Sequence, residues 1–285
     1  MTAGHSMRLL APAKINLSLR ITGRRQDGYH TLISRMQKVS LYDELTLEKT
    51  ATGVELFCPD GKSPEGRENL VFRAAELFLE HIAALGHSFG VRLTLNKRIP
   101  VAAGLGGGSS DAAATLAGLN ALSRAGLTRH ELAVLGLRLG ADVPFFLGQA
   151  PAALAQGIGE VLSPAEPIGD YTVVLVNPGF AVSTRWVYQH FDLTSISRTD
   201  NLQNSRDKVG GLVLVNDLEQ VTLKRYPIIA DMKKEILQRG ATAALMSGSG
   251  PTVFGLFTDK EVAWRAARFF QLGFAGTYLV EPLRS

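Results

Sequence analysis

Residues 100–111 read PVAAGLGGGSSD, so that four glycines fall within five consecutive positions. Before them, Val91, Leu93 and Leu95 alternate with polar residues, which predicts a strand. After them, residues 110–122 are rich in Ala and Leu, with Ser and Asp at the start, which predicts a capped helix. Glycines let consecutive N–H groups point into one concavity, and a helix N-terminus adds free donors and partial positive charge. The stretch therefore predicts a phosphate-binding loop for a nucleotide.

This glycine loop differs from the common nucleotide-binding signatures. No Gly-Lys-Ser/Thr follows it, as in a Walker A loop, and residues 104–109 lack the third glycine of the dinucleotide fingerprint. The chain also lacks the catalytic-loop and metal-binding signatures of protein kinases. A flexible turn that closes a strand–helix joint is the alternative interpretation.

A candidate cation lies near the start of the chain. Apolar residues alternate with polar ones over residues 15–21, the pattern of a strand with one buried face. Lys14 and Asn16 therefore share the other face, where a lysine can neutralise a phosphoryl group as a point charge. The alternative is a solvated strand face with an ordinary surface lysine.

Asp142 is a candidate proton acceptor. It follows Gly140 and stands two residues before Pro144, which restricts the backbone of Val143. An aspartate held in such a rigid turn could accept a hydroxyl proton. An Asx-type turn residue is the alternative.

Aromatic and titratable side chains mark a further candidate region. Residues 27–30 read DGYH, a turn signal followed by Tyr29 and His30, and Tyr188 lies on a predicted helix over residues 184–191. A nucleobase could stack on either tyrosine. Ordinary packing of the tyrosines and a structural role for the histidine are the alternatives.

Two further motifs allow more than one interpretation. Residues 246–252, MSGSGPT, form a second glycine turn between two predicted strands, and a plain hairpin turn would need no function. Asp217 and Glu219 in the motif NDLE, residues 216–219, could begin a helix, which the pattern favours, or form a metal pair.

Composition limits the class of protein. The 285 residues are 46% hydrophobic and 20% charged, which is typical of a globular chain with a sizeable core. The single cysteine, Cys58, excludes an intrachain disulfide and zinc sites built from two or more thiolates. The net charge of +4 permits an anionic ligand without indicating nucleic-acid binding. We expect a bacterial cytoplasmic protein, because no long apolar run and no targeting pattern are present.

Strands and helices are mixed without strict alternation, which predicts an α+β fold in two lobes. We place one boundary near residue 163, with domains over residues 1–163 and 164–285. Met7 directly precedes the first apolar run, and residues 1–6 are interpreted as an extension outside the fold.

Taken together, the motifs resemble a known family. Residues 11–17 (APAKINL), 104–110 (GLGGGSS) and 248–251 (GSGP) resemble, in order and spacing, the three motifs of the galactokinase, homoserine, mevalonate and phosphomevalonate kinase (GHMP) superfamily. Within it, residues 27–30 and 140–146, together with the NDLE motif, look like the branch that phosphorylates a cytidine diphosphate-linked polyol of the non-mevalonate isoprenoid route.

The resemblance implies an N-terminal ATP-binding lobe like the second domain of ribosomal protein S5, and a ferredoxin-like C-terminal lobe that completes the acceptor site. It implies transfer of the ATP γ-phosphoryl to the 2-hydroxyl of 4-diphosphocytidyl-2-C-methyl-D-erythritol. Mg²⁺ is expected to be held mainly by ATP phosphates and water, together with Ser109 or Ser110, and the oligomeric state is expected to be a monomer or weak dimer.

The resemblance also implies a role for each candidate residue. Asp142 would take the hydroxyl proton, and Lys14 would keep Asp142 ionised while contacting the transferring group. Asn16 would orient the acceptor, and His30 would hydrogen-bond the cytosine edge. Tyr29 and Tyr188 would sandwich the cytosine ring, and Asn69 and Lys97 would lie near the adenosine. The triphosphate would be wrapped by Pro100, Val101, Ala102, Ala103, Gly104, Leu105, Gly106, Gly107, Gly108, Ser109 and Ser110.

Two other functions are compatible with parts of the sequence. Another GHMP-type kinase, acting on mevalonate or homoserine, would share the glycine loop but would not need Tyr29, His30 and Tyr188 as base readers. A non-catalytic RNA-binding protein belongs to a different class. Acidic residues interspersed with the basic ones argue against the continuous basic surface that such a protein needs.

Overall fold

The computed structural model describes residues 6–61, 63–193, 208–209 and 211–284. The chain divides into two compact units. The first comprises Met1–Ala13, Leu41–Val101 and Gly106–Gln149, and the second comprises Lys14–Ser40, Ala102–Leu105 and Ala150–Ser285. The division differs from the single boundary expected near residue 163. The reason is that two long strands, β1 (Ser6–Arg24) and β2 (His30–Thr50), each contribute residues to both units.

The first unit packs four helices with a sheet. The latter half of β2 pairs antiparallel with β4 (Gly90–Asn96), and β3 (Val54–Phe57) pairs parallel with β4. The core is formed by buried apolar side chains from both layers, such as Leu45, Phe78, Leu93 and Leu116. The helices are α1 (Leu70–Ala83), α2 (Gly107–Ser123), α3 (Arg129–Leu137) and α4 (Val143–Leu147).

Local sequence explains where these helices begin. Thr128 and Glu131 form a capping box at the start of α3, in which each side chain accepts the backbone N–H of the other residue. The sequence predicts that α2 begins at Ser110, but the helix already begins at Gly107. Gly106 has a φ of 71°, and this left-handed residue turns the chain directly into the helix.

The second unit contains two larger sheets and one short ladder. In the first sheet β1 lies between β10 (Val215–Asn216) and β2, while β5 (Ala152–Gln156) pairs with β2 and with β6 (Val161–Pro164). The second sheet is antiparallel and has the order β11–β12–β7–β13. Its strands are β7 (Thr172–Asn177), β11 (Ala243–Met246), β12 (Val253–Phe257) and β13 (Gly276–Val280). The ladder joins β8 (Lys208–Val209) to β9 (Leu212–Val213).

Four helices complete the second unit: α5 (Thr184–Gln189), α6 (Glu219–Arg225), α7 (Ile228–Gln238) and α8 (Lys260–Gln271). All residues of β7 and β12 are buried, as expected for continuous apolar strands covered on both faces. The helix predicted over residues 184–191 ends two residues early, at Gln189. Among the described helices, none has the length and apolar character needed to traverse a bilayer.

Candidate active site

Lys14 and Asn16 lie on one face of β1, as the alternation predicts. The ammonium nitrogen Nζ of Lys14 lies 2.5 Å from Oδ1 of Asn16 and 3.1 Å from the backbone oxygen of Gly104, a residue of the glycine loop. Both side chains are only 4% exposed, so the interpretation of a solvated strand face is wrong. These two oxygen acceptors hold the ammonium of Lys14 in place.

Ser247, in the second glycine turn, joins this group. Its hydroxyl donates to the backbone oxygen of Gly104 at 2.8 Å and accepts the backbone N–H of Asn16 at 3.2 Å. The amide of Asn16 donates in turn to the Ser34 hydroxyl at 2.8 Å. Sequence reasoning did not single out Ser247 itself, although it lies within the turn that was noted over residues 246–252.

Close backbone approach explains two glycines of these motifs. Gly104 has a φ of 77°, and a Cβ there would lie 2.0 Å from the backbone oxygen of Ser247. Gly248 has a φ of 56°, and a Cβ there would lie 3.2 Å from Oδ1 of Asn16 and 3.4 Å from Nζ of Lys14. The second glycine turn is therefore more than a hairpin connection, because its backbone packs directly against the Lys14–Asn16 pair.

In the first unit, Lys97 lies at the start of α2. Its ammonium binds the carboxylate of Asp43 and lies 2.7 Å from Oδ2 of Asp111. A Cβ on Gly107, the first residue of α2, would come within 3.1 Å of this nitrogen. The sequence predicted Lys97 as an adenosine contact but did not predict its two carboxylate partners.

Burial and close contact change the pKa values of Lys97 and Asp111 in the buried cluster of Asp43, Lys97 and Asp111. Asp43 accepts the backbone N–H groups of Arg98 at 2.5 Å and Ile99 at 2.8 Å. Burial raises the pKa of the Asp111 carboxyl, and the negative charge of Asp43 raises it further, whereas Lys97 lowers it. For Lys97, burial acts to lower the pKa, but the charges of Asp111 and Asp43 outweigh it, so the pKa is raised.

Two oxygen atoms in the first turn of α2 are buried without a hydrogen-bond partner among the described residues. They are Oγ of Ser110 and Oδ1 of Asp111. Buried polar atoms are usually satisfied, and exceptions often mark a position where a ligand or ion completes the bonding. Ser110 is one of the two residues expected near Mg²⁺.

Asn69 has a structural role that the sequence analysis did not foresee. Its Oδ1 accepts the N–H of Val71 at 2.9 Å and caps α1, and its Nδ2 donates to the backbone oxygen of Pro64 at 2.8 Å. The adenosine contact remains a prediction for this residue.

Asp142 lies at the N-cap position of α4, followed by Val143 and Pro144 in the first turn. Its side chain makes no capping hydrogen bond, although the N-cap is where an aspartate usually makes one. The carboxylate is partly buried. Asp142 belongs to the first unit and Lys14 to the second.

Two aromatic rings contact His30 in the second unit. The ring centroid of Tyr188 lies 5.6 Å from that of His30, and Phe191 meets the imidazole edge-on at 5.9 Å. Burial, assisted by the positive charge of Arg24, lowers the pKa of His30. The lowered pKa favours the neutral form of the imidazole, which has one donor and one acceptor nitrogen. Tyr29 is 61% exposed.

The NDLE motif begins a helix, as the pattern favoured. Glu219 is the first residue of α6. Oδ2 of Asp217 accepts the backbone N–H of Ile21 at 2.7 Å, while Glu219 forms an ion pair with Lys233. The two carboxylates therefore have separate protein partners, and the metal-pair interpretation is not supported.

Comparison with known proteins shows the class. The GHMP kinases N terminal domain matches residues 69–149, and the GHMP kinases C terminal domain matches residues 198–275. A 4-diphosphocytidyl-2-C-methyl-D-erythritol kinase from Syntrophus aciditrophicus is 47% identical over 98% of this chain and 99% of its own length. The same enzyme from Geobacter metallireducens is 47% identical over 92% of this chain and 93% of its own length.

Solved structures agree with the sequence comparison. A crystal structure of a 4-(cytidine 5'-diphospho)-2C-methyl-D-erythritol kinase has a TM-score of 0.81 at 36% identity, covering 96% of this chain and 98% of that chain. A homoserine kinase from Cytophaga hutchinsonii has a TM-score of 0.75 at 20% identity, covering 100% of this chain and 97% of that chain. The second likeness shows the fold alone.

The chain belongs to the GHMP kinases, ATP-dependent enzymes with the α+β fold that the motifs predicted. Within them, it belongs to the family of 4-diphosphocytidyl-2-C-methyl-D-erythritol kinases. The family and enzyme class expected from the sequence are confirmed. Homoserine and mevalonate kinases are distant structural neighbours, at 20% and 13% identity.

Proposed function

We propose that this chain transfers the γ-phosphoryl group of ATP to the 2-hydroxyl of 4-diphosphocytidyl-2-C-methyl-D-erythritol, in the non-mevalonate route to isoprenoid precursors. The activity of the two bacterial relatives, each 47% identical to this chain, supports this substrate. The single observation that carries the proposal is the buried Lys14 ammonium, bound to the backbone oxygen of Gly104 in the glycine loop.

Phosphoryl transfer depends mainly on positioning and on stabilisation of charge that spreads over the transferred group. Lys14 supplies a fixed positive charge, because Asn16 and Gly104 hold its Nζ in one place. In this mechanism, Asn16 orients the acceptor hydroxyl next to that charge. Asp142, at the N-cap position of α4, takes the hydroxyl proton.

The triphosphate would bind along residues 100–110. Gly106 and Gly107 lead into α2, whose N-terminus offers N–H donors and the positive end of the helix dipole. Lys97 lies at the same helix start and uses two of its three donors on Asp43 and Asp111. The third donor would serve the nucleotide, and Asn69 would line the adenosine from the start of α1.

The residues at the start of α2 also fit Mg²⁺. The ion prefers oxygen ligands and keeps several waters, so that phosphate oxygens and one hydroxyl suffice. Ser110 offers a buried hydroxyl oxygen without a hydrogen-bond partner among the described residues, and Ser109 precedes it. When bound, the ion would neutralise charge on the phosphates.

Recognition of the cytosine would rest on His30 and two tyrosines. A neutral imidazole can donate with one nitrogen and accept with the other, which suits the mixed donor and acceptor edge of cytosine. Tyr188, against His30, would stack on one face of the base. Tyr29 is exposed on the preceding loop and would cover the other face.

The proposal is tested by measuring ADP release with ATP and Mg²⁺ over four acceptors. They are the cytidyl substrate, methylerythritol phosphate without cytidine, mevalonate and homoserine. We expect turnover with the cytidyl acceptor only. Turnover with mevalonate or homoserine would replace the proposed acceptor, and equal turnover with methylerythritol phosphate would remove the base-reading role of His30, Tyr29 and Tyr188.

A variant separates base recognition from chemistry. His30→Phe keeps an aromatic ring but removes both ring nitrogens, and we expect the KM for the cytidyl acceptor to rise about tenfold because an edge hydrogen bond is lost. The KM for ATP should stay within twofold. Ile33→Ala, a partly exposed position on the same strand, is the matched control. An unchanged acceptor KM in His30→Phe would contradict the assignment.

A further inference from the structure

The NDLE motif holds the second glycine turn through Asn216. The Nδ2 atom of Asn216 donates to the backbone oxygens of Met246 and Gly248, both at 2.7 Å. Its Oδ1 accepts the N–H of Leu218 at 3.0 Å, so that both ends of the amide are engaged. The residue is 5% exposed, and a buried amide with three good bonds is a rigid attachment point.

Two neighbours of Asn216 strengthen the attachment. Oε1 of Glu219 accepts the backbone N–H of Met246 at 2.8 Å, and Lys233 fixes that carboxylate at 2.6 Å. The hydroxyl of the fully buried Thr222 donates to the backbone oxygen of Ser249 at 3.2 Å. The turn is thus bonded at Met246, Gly248 and Ser249 to one short segment, residues 216–222.

On its other side, the same turn contacts the Lys14–Asn16 pair and Gly104. Ser247 bonds both Gly104 and the backbone of Asn16, and the Cα of Gly248 lies close to the side chains of Lys14 and Asn16. A shift of the turn would therefore move the oxygen of Gly104 that holds Lys14. Small misplacements of such groups have large effects on rate.

We propose that Asn216 is a positioning residue for phosphoryl transfer, which acts through the turn at Ser247 and Gly248 on the Lys14–Asn16 pair. The proposal deepens the proposed function and rests on it, since Lys14 and Asn16 are given their roles there. Asn216 does not contact the reacting atoms. It holds the backbone of the turn, and Ser247 in that turn bonds the Gly104 oxygen that accepts from Lys14.

The first test uses Asn216→Asp. This variant keeps the acceptor for Leu218 but replaces two N–H donors by an oxygen that faces two backbone oxygens. We expect kcat at pH 8 to fall about tenfold, while the KM values for ATP and the acceptor change by less than about threefold. At pH 5 a protonated carboxyl can donate one hydrogen bond to the turn, so the loss relative to the unaltered protein should shrink.

The matched control is Asp217→Ala, in the same motif. Asp217 accepts the backbone N–H of Ile21, a residue of β1. We expect a lower melting temperature with kcat unchanged. If both variants lose kcat in proportion to their loss of stability, or if Asn216→Asp keeps kcat within twofold, the positioning role is overturned.

Thr222→Val tests the idea without changing Asn216, in case Asn216→Asp does not fold. The substitution is close to isosteric and removes the single bond to Ser249. We expect kcat to fall about threefold. An unchanged kcat here, with Asn216→Asp unfolded, would overturn the proposal.

A second readout separates this inference from the proposed function. The backbone N–H of Asn16 donates to the hydroxyl of Ser247. A displaced turn should therefore speed hydrogen exchange at the backbone of Asn16 as well as at residues 246–250. Suppose that exchange is faster at both places in Asn216→Asp, while the unaltered protein does not turn over the cytidyl acceptor. The proposed function would then be rejected, but the link from Asn216 through the turn to Asn16 would stand. Faster exchange at residues 246–250 alone, with none at Asn16, would show that the turn does not transmit the change to the Lys14–Asn16 pair and would overturn the proposal.

Discussion

Two buried lysines precede the glycine loop in sequence, and the hydrogen bonds described for them go to different kinds of acceptor. The ammonium of Lys97 contacts two carboxylates, those of Asp43 and Asp111. The described hydrogen bonds of Lys14 go to neutral oxygens, the side-chain oxygen of Asn16 and the backbone oxygen of Gly104. Both side chains are less than 10% exposed. Both lysines are buried, and we expect a different role for each because their described acceptors differ in charge.

The difference predicts different consequences of removing each charge. Without Lys97, two carboxylates would stay buried with no cation between them, which is one of the costliest defects in a protein interior. Without Lys14, the loop loses the hydrogen bond at the backbone oxygen of Gly104, and we expect a smaller cost to stability because that acceptor is uncharged. Lys97 should therefore affect mainly folding, and Lys14 mainly turnover.

The largest expected effect is that of Lys97→Met on stability. The substitution keeps the length of the side chain and removes the charge, and we expect the free energy of unfolding to fall by about 3–5 kcal/mol. Urea denaturation followed by circular dichroism measures it. The double variant with Asp111→Asn should recover part of the loss, because one of the two uncompensated charges is gone. A loss below about 1 kcal/mol would show that the cluster does not stabilise the fold.

The next effect is that of Lys14→Met on turnover. We expect kcat for the cytidyl acceptor to fall about 10²–10³-fold, the usual cost of losing one preorganised group that stabilises transition-state charge. The free energy of unfolding should change by about 1 kcal/mol. Steady-state ADP release and urea denaturation on the same preparation check both statements. A kcat within tenfold of the unaltered protein would remove Lys14 from the chemistry.

The sequence predicted the Lys14 group more fully than the Lys97 group, for a physical reason. Alternation along a strand has a period of two, and it places Lys14 and Asn16 on one face without further knowledge. The partners of Lys97 are 54 and 14 residues away, and no local period connects them. Tertiary pairings of this kind leave no mark in hydrophobic patterning.

The start of α2 and the division into units show the same limit. The Ala- and Leu-rich pattern begins at Ser110, whereas the helix begins at Gly107, because glycines tolerate both the left-handed turn and the first helical residues. A single domain boundary was predicted from sequence order. The observed division follows contacts that β1 and β2 make along their whole length, which sequence order does not reveal.

The smallest expected effect is the pH dependence of stability that arises from Asp111, a partner of Lys97. It sharpens the comparison between the surroundings of Lys97 and those of Lys14. Burial, with a contribution from the charge of Asp43, raises the pKa of Asp111 from 3.8 to about 7 in the folded protein, even though Lys97 opposes the shift. Between these values the folded state binds more protons than the unfolded state. The stabilisation linked to this group is therefore complete below about pH 4 and is lost as the pH rises through 7.

Asp111→Asn removes that titration. We expect the unfolding free energy of the variant, relative to the unaltered protein, to increase between pH 5 and pH 8, as measured by urea denaturation at both values. Glu48→Gln, at an exposed position on β2, is the control and should show no such trend. A difference that stays constant across this range would mean that Asp111 does not titrate between pH 5 and pH 8 in the folded protein. The pH dependence therefore tests directly whether burial and the charge of Asp43 outweigh the opposing charge of Lys97 at this carboxyl.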